Sequence, residues 1–446
     1  ASPNALENKA GWKPDMPHVY VEDLARYAGQ EVLVQGWLYN KRSSGKVRFV
    51  LVRDGTGIVQ GVVTPEADPQ TFELAERLPQ ESSLGLWGVV RADRRAPGGY
   101  EILVRKIEPI HIPKEPFPIG LKEHGVGFLM DHRHLWIRTR KQVPILRIRD
   151  AVFWAIRAFF KERGFVATEA PILVGTAVEG TTTLFPLDYF GEPAYLSQSG
   201  QLYLEATCMA LGRVYWIGPC FRAEKSKTRR HLTEFWMAEA EVAFLDHEGN
   251  LRLQEDLVRY IVEYVVAERS RELAELGRDP EVLLGEVRDP FVRITYREAI
   301  EIIRSHGVPI EYGDDFGAPA EDALSAHFGR PVFVERYPKE IKPFYMKRDP
   351  QDPSVVLNAD LIAPEGYGEI IGGSQRVDTE EELLAQLREA NLPVEPYKWY
   401  IDLRKWGSVP HSGFGLGVER TVAWIAGVDH IRETIPFPRM LDRLYP

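Results

Sequence analysis

Three stretches of the chain set charged side chains among apolar, strand-forming ones, a placement that costs stability unless partners or ligands compensate it. The first, GPCFRAEKSKTRRHLTEFWMAEAEVAF (218–244), reads as two strands around a basic loop. Arg222, Glu224, Glu239 and Glu241 would line such a hairpin, and its cationic tip suits a polyphosphate. The second, HSGFGLGVERTVAWIAGVDHIRE (411–433), runs a strand with alternating glycines into a helix bearing Glu419 and Arg420. Bare strand positions let a flat ligand approach the backbone. The third, NADLIAPEGYGEIIGGSQR (358–376), brings Asp360 and Glu369 near Arg376. Two carboxylates in all-oxygen surroundings suit magnesium bridging phosphates. Taken singly, each stretch has a plainer reading: an Arg222–Glu224 ion pair, a helix start at Glu419, a solvated loop at Asp360. Their joint occurrence favours chemistry on a phosphorylated substrate.

The elements that would position these groups fall into two parts. Residues 18–112 hold five short runs rich in Val, Ile, Leu and aromatics, at 31–40, 47–53, 57–63, 84–91 and 100–107. A helix-like TFELAERL lies between the third and fourth runs, and this order is that of an OB-fold barrel. PKEPFPIG (113–120) has three prolines in eight residues, which suits an extended connector. The expected organisation is an extension at 1–17, a barrel at 18–112, a hinge at 113–134 and a second domain at 135–446. There, 140–164 reads as a long amphipathic helix followed by the strand-like FVATEAPIL, whose Pro171 confines it to an edge or an interface. Helical patterns recur at 250–277 and 379–390. Apolar runs at 214–221, 235–245, 331–336, 355–362 and 398–403 suggest an antiparallel sheet flanked by helices, an α+β fold. Residues 265–340 carry no assignable chemistry and read as an inserted helical subdomain or an accessory surface.

The formal charge of -10 over 446 residues argues against a nucleic-acid partner only in bulk. Lys41, Arg42, Lys46 and Arg48 form one local basic cluster, and KSKTRR (225–230) forms another. Cys208 and Cys220 have neither CxxC spacing nor a histidine cluster, which speaks against a disulfide framework and a zinc site. No signal-like apolar core opens the chain and no segment reaches ~18 uninterrupted apolar residues, so a cytoplasmic protein with no membrane partner is expected.

FRAE (221–224) followed by His231-x-x-x-Phe235 resembles motif 2 of the class II aminoacyl-tRNA synthetases, and GFGLGVER (413–420) resembles motif 3. The long helix with its Pro171 strand is similar to motif 1, and the barrel ahead of them points to the subclass of aspartate, asparagine and lysine enzymes. The resemblance implies ATP-dependent activation of an amino acid, transfer to the 3′ end of a tRNA, and a homodimer built through the long helix and the Pro171 strand. It implies that Arg222 bridges the amino-acid carboxylate and the α-phosphate, that Glu224 reads the adenine amino group, and that Phe235 and Arg420 sandwich the adenine. His231 would meet the terminal phosphate, and Asp360 and Glu369 would hold Mg2+.

The same resemblance bears on the substrate. Gln201 in YLSQSGQLYLE (195–205) matches a glutamine that contacts the substrate ammonium, and Glu179 in EGTTTLF matches the mobile-loop acid that closes over it. Aspartate enzymes carry a lysine three residues after that glutamine; Leu204 stands there. Arg376 matches the arginine that recognises the side-chain oxygen, and Glu239 replaces an aspartate and reaches far enough to accept an amide proton. One donor and one acceptor complement a carboxamide, so asparagine and tRNA(Asn) are the implied substrates. An aspartate anion ~4 Å from Glu239 would meet a repulsion of about 4 kcal/mol at an effective dielectric of ~20. The alternatives are an aspartate enzyme of relaxed specificity, an amide-forming relative that makes asparagine, and a noncatalytic tRNA-binding relative. Leu204 and Glu239 speak against the first, the barrel against the second, and Arg222, Glu224, Glu369 and Arg420 against the third. In the barrel, Arg42, Phe49 and Gln60 match anticodon-reading residues, Phe49 offering a stacking face unless, like most strand aromatics, it is core.

Overall fold

The computed structural model describes residues 17–446, so all but the last residue of the expected 1–17 extension lies outside the described residues. The described residues divide into two compact units, one ending at Met130 and the other running from Asp131 to Pro446.

In the first unit β1 (Glu31–Ser44), β2 (Val47–Arg53), β3 (Ile58–Val63), β4 (Ser83–Ala92) and β5 (Tyr100–His111) close into a barrel in the order β1-β2-β3-β5-β4. Helix α1 (Pro69–Arg77) lies between β3 and β4 and starts on the Asp68 side chain, which accepts from the Thr71 N–H. Alternation sends Val32, Val34, Val50, Val52, Leu84 and Leu86 into the barrel core.

The second unit is built on an eight-stranded sheet. Helix α2 (Gln142–Glu162) buries Ile145, Ile148, Val152, Ile156 and Phe159, a stripe at helical spacing, and the chain turns at Gly164 with φ 76°. The short β6 (Val166–Ala167), β7 (Leu173–Val174), β8 (Pro186–Tyr189) and β9 (Glu192–Leu196) follow, then α3 (Gln201–Leu211). The hairpin β10 (Arg213–Phe221) and β11 (Glu234–Ala243) leads into α4 (His247–Glu268). Strands β12 (Val292–Thr295), β13 (Val332–Glu335), β14 (Asn358–Ala363), β15 (Gly368–Gln375) and β16 (His411–Gly417) complete the sheet in the order β12-β13-β14-β15-β16-β11-β10-β6. Helix α5 (Val418–Ala426) springs directly from β16 and ends on Gly427 in the left-handed region, φ 71°.

Four expectations need correction. The sheet is mixed: its six central strands are antiparallel, but β6 runs parallel to β10 and β12 parallel to β13. Pro171 is not within a strand; with no N–H to give a ladder, it falls in the gap between β6 and β7. The run 398–403 is helical over Lys398–Asp402, with Tyr400 and Ile401 buried, because a short apolar run looks alike in a strand and a buried helix. Residues 265–340 are not a helical insertion: β12 and β13 within them extend the main sheet, and their core of Ile294, Tyr296, Ile300 and Leu324 includes Ile362 of β14.

Candidate active site

Paired positions in a sheet share a face. Glu239 lies opposite Gly415 and Glu241 opposite Gly413, while Gly415 and Gly413 lie opposite Gly372 and Ser374, and Gly372 opposite Asp360. One face of the central strands therefore carries carboxylates over glycines. The glycines make room for protein as well as for any ligand: a Cβ on Gly413 would stand 1.9 Å from Glu241 Oε1, and one on Gly415 2.3 Å from Met237 Cε. The strand is bare because its neighbours' side chains fill it.

At one end of this face lie the groups suited to a nucleotide. The Arg222 guanidinium sits 5.2 Å from the Phe235 ring centroid, with Nη2 3.4 Å from the Gln198 carbonyl and 3.9 Å from Met237 Sδ. Its buried Nε has no hydrogen-bond partner among the described residues. Burial works against the Arg222 charge, but Glu179 and other anions raise its pKa above the ordinary value. Glu224 Oε2 approaches His231 Nε2 at 3.5 Å, and His231 Nδ1 lies 3.2 Å from Ser226 Oγ. Burial, then Arg420, lowers the His231 pKa. Arg420 donates to the carbonyls of Glu369 (2.9 Å) and Arg230 (3.3 Å), which fixes it beside that histidine. Glu419 is fully engaged: it accepts from Arg149 of α2 at 2.6 Å and from the Trp236 N–H at 2.7 Å, so it ties α5 to α2 and β11.

Asp360 and Glu369 converge over Gly372, where a Cβ would lie 2.8 Å from Glu369 Oε1 and 3.5 Å from Asp360 Oδ1. Burial, then the neighbouring Asp360, pushes the Glu369 carboxyl up to about 8. Lys342, invisible as a site residue in the sequence, gives Nζ to Asp360 Oδ2 at 3.1 Å. A pair of buried oxygen donors with one carboxyl destabilised as an anion fits a hard divalent cation, whose charge would reverse that penalty.

At the other end, Arg376 is fully buried and bound by Glu241 through Nε (3.1 Å) and Nη2, while Nη1 donates to Ser374 Oγ at 2.8 Å. Burial opposes the Arg376 charge; Glu241 more than restores it, and the pKa lies above the ordinary arginine value. Glu241, not Glu239, is thus the carboxylate that pairs with Arg376. Glu239 accepts from Ser199 Oγ (2.5 Å) and from the Gly200 N–H (2.9 Å), holding the turn that starts α3. Gln201 donates to Glu205 at 3.4 Å, and Glu179 accepts from Tyr345 OH at 3.0 Å. Leu204 lies in an apolar cluster with Ala170, Cys208, Val214 and Trp216.

Residues 126–441 match the family described as tRNA synthetases class II (D, K and N), and residues 32–110 match the OB-fold nucleic acid binding domain. The chain is 60% identical over 432 residues to the asparagine–tRNA ligase of Pelotomaculum thermopropionicum, covering 97% of this chain and 100% of that one. It is 56% identical to the asparagine–tRNA ligase of Thermus thermophilus, covering 96% and 100%. The chain belongs to the asparagine–tRNA ligase family of class II synthetases. Among solved structures, asparaginyl-tRNA synthetase from Pyrococcus horikoshii complexed with asparaginyl-adenylate superposes with a TM-score of 0.91 at 48% identity, covering 96% of this chain and 99% of that one. The aspartyl-tRNA synthetase of Entamoeba histolytica gives 0.82 at 26% identity, covering 98% and 94%.

In the barrel, Arg42 stacks 4.0 Å over the Phe49 ring and reaches Gln60 Oε1 at 3.4 Å, while Gln60 donates to the buried Glu101 at 3.1 Å. Phe49 is absent from the barrel core and lies on the outward face. Pro171 is exposed, beside Ile172 and Leu173 at 37% and 49% exposure. Cys208 and Cys220 are buried and unpaired, and among the described residues no helix is long and apolar enough to cross a membrane. Missed in the sequence were Lys342, Tyr345 and the group Glu205, Tyr400, Arg404 and His411. Two of these lay in quoted motifs: Glu205 ends the 195–205 segment and His411 opens the 411–433 stretch.

Proposed function

We propose that the chain carries out asparagine–tRNA ligation on the sheet face described above, joining asparagine and ATP into asparaginyl-adenylate and pyrophosphate and then passing the asparaginyl group to a hydroxyl of the terminal ribose of tRNA(Asn) with release of AMP. The observation that supports asparagine over aspartate is the saturation of Arg376 by Glu241. Three of the five guanidinium N–H groups are engaged within the protein, which leaves one on each Nη for a substrate oxygen, with no net charge to favour a carboxylate. Glu239 keeps lone pairs beyond those used by Ser199 and Gly200, and these accept the carboxamide protons. Gln201, whose N–H faces Glu205, turns its oxygen to the substrate ammonium, and Glu179 closes over the same group.

No protein nucleophile is required. The asparagine carboxylate attacks the α-phosphorus, the bond to the β-phosphate oxygen breaks, and pyrophosphate departs. Arg222, with an unused buried N–H, bridges the carboxylate and the α-phosphate where negative charge concentrates in the transition state. Glu224 reads the adenine amino group, Phe235 and Arg420 flank the ring, and His231 meets the terminal phosphate. Asp360 and Glu369 would hold Mg2+, which when bound draws charge from the departing pyrophosphate. Arg42, Phe49 and Gln60 read the anticodon, and the exposed Pro171 segment forms the homodimer contact. Two unpaired buried thiols suit a cytoplasmic setting.

Pyrophosphate exchange with each amino acid tests this reading. Exchange must depend on asparagine; equal exchange with aspartate would overturn it. Sedimentation of the intact protein should give a dimer, and a monomer at micromolar concentration would remove the role given to Pro171.

A further inference from the structure

Glu205 takes no direct part in the reaction proposed above, yet it is wholly buried and tied both to the Lys398–Asp402 helix with the turn after it and to β16. Its Oε1 accepts from Arg404 Nη2 at 2.8 Å and lies 2.7 Å from His411 Nε2, and its Oε2 accepts from Tyr400 OH at 2.5 Å and from Gln201 at 3.4 Å. The His411 ring is fixed on its other side by the Val409 carbonyl at 2.9 Å. Burial alone would raise the Glu205 carboxyl, but Arg404 and then His411 hold it down at about 2.

We infer that Glu205 is the positioning residue that cancels the buried Arg404 charge beside the amino-acid pocket, and that through Arg376 it decides between a carboxamide and a carboxylate. Two guanidiniums and two carboxylates share this buried volume. Arg376 is matched by Glu241 and Arg404 by Glu205. Arg376 is tied to the same group, its backbone N–H donating at 2.9 Å to the carbonyl of the His411 whose ring meets Glu205, and Glu205 is one of the anions that hold its guanidinium charged. Successive helix residues point ~100° apart, so α3 sends Leu204 into the apolar cluster and Glu205 into the ionic one. Leu204 thus brings no charge to this volume, and the next residue cancels that of Arg404. Without the Glu205 charge the pocket holds an excess guanidinium in surroundings where charge is poorly screened, and that excess favours an anionic substrate.

The inference rests on the asparagine reading, and the experiment separates the two. Pyrophosphate exchange is measured with asparagine and with aspartate for the wild type, Glu205→Gln, Arg404→Met and the double variant. Each is checked by thermal melting. With Glu205→Gln the ratio of asparagine to aspartate kcat/KM falls at least tenfold, led by a drop in the aspartate KM. With Arg404→Met, where the excess charge is negative, the ratio rises; in the double variant it returns to within about threefold of the wild type. Equal losses for both amino acids in the single variants would mean that the network is merely structural and would overturn the inference. If Glu205→Gln does not fold, the direction of change in Arg404→Met decides. A wild type that shows no asparagine-dependent exchange would instead overturn the function itself.

Discussion

Replacing Gly413 by alanine tests whether the open strand beneath the pocket is set by its neighbours. A Cβ there would stand 1.9 Å from Glu241 Oε1 and 2.4 Å from the Ala240 carbonyl, and the second of these belongs to the sheet backbone and cannot rotate away. Overpacking of this kind costs about 1 to 3 kcal/mol. Pushing Glu241 off Arg376 strands two buried charges, at a further ~3 to 5 kcal/mol. The total of about 4 to 8 kcal/mol is a large part of the ~5 to 15 kcal/mol that holds a typical protein folded. With an unfolding entropy of ~2.1 cal/mol/K per residue over the unit that runs from Asp131 to Pro446, each kcal/mol is worth about 1.5 °C, and a melting temperature lower by at least about 6 °C is expected. Asparagine KM in the exchange assay should rise along with it, because Arg376 loses its clamp. Gly417→Ala is the matched control: its Cβ would meet nothing nearer than the Ile370 carbonyl at 3.9 Å, so only the loss of a favourable helix start applies, about 1 kcal/mol. Equal shifts in the two variants would refute the steric argument.

Arg222→Lys, which loses the planar fork but keeps the charge, should lower the rate of adenylate formation by ~100 to 1,000-fold with little change in melting temperature, read by single-turnover activation. Asp360→Asn should raise the Mg2+ concentration for half-maximal exchange at least tenfold, read by Mg2+ titration at saturating ATP. Phe49→Ala should leave exchange untouched and raise the tRNA KM in aminoacylation by the ~1 to 3 kcal/mol of one stacked base. Glu286, pushed up to about 8 by burial and then by Glu365, binds its proton more tightly folded than unfolded. Its contribution to stability is present below about pH 4.5 and is lost as the pH rises through about 8; Glu286→Gln should flatten the fall in melting temperature across that window.

What the sequence made legible was what lies close together along the chain. The five barrel strands are short apolar runs bounded by turn residues, and the hairpin from Arg213 to Ala243 carries its charged residues in one segment. The pairing of Arg376 with Glu241 was not legible, because both Glu239 and Glu241 point to the same face and only the register of β11 against β16 and β15 chooses between them. Glu205, Arg404 and His411 meet across 199 and 206 residues of sequence, and one partner sits beside an apolar run that folds as a helix. Lys342 lies in a segment with no periodicity to mark it, and its purpose appears only where Nζ meets Asp360.

The seat on the barrel is already taken. On the proposed anticodon role, a nucleobase that stacks on Phe49 would displace the Arg42 guanidinium now 4.0 Å above the ring. The contact given up, ~0.5 to 1 kcal/mol, trims the ~1 to 3 kcal/mol gained by stacking. Any base can occupy the ring, so the gain from occupancy alone is thin, and only a nucleotide that also engages Gln60 and the released Arg42 is held firmly.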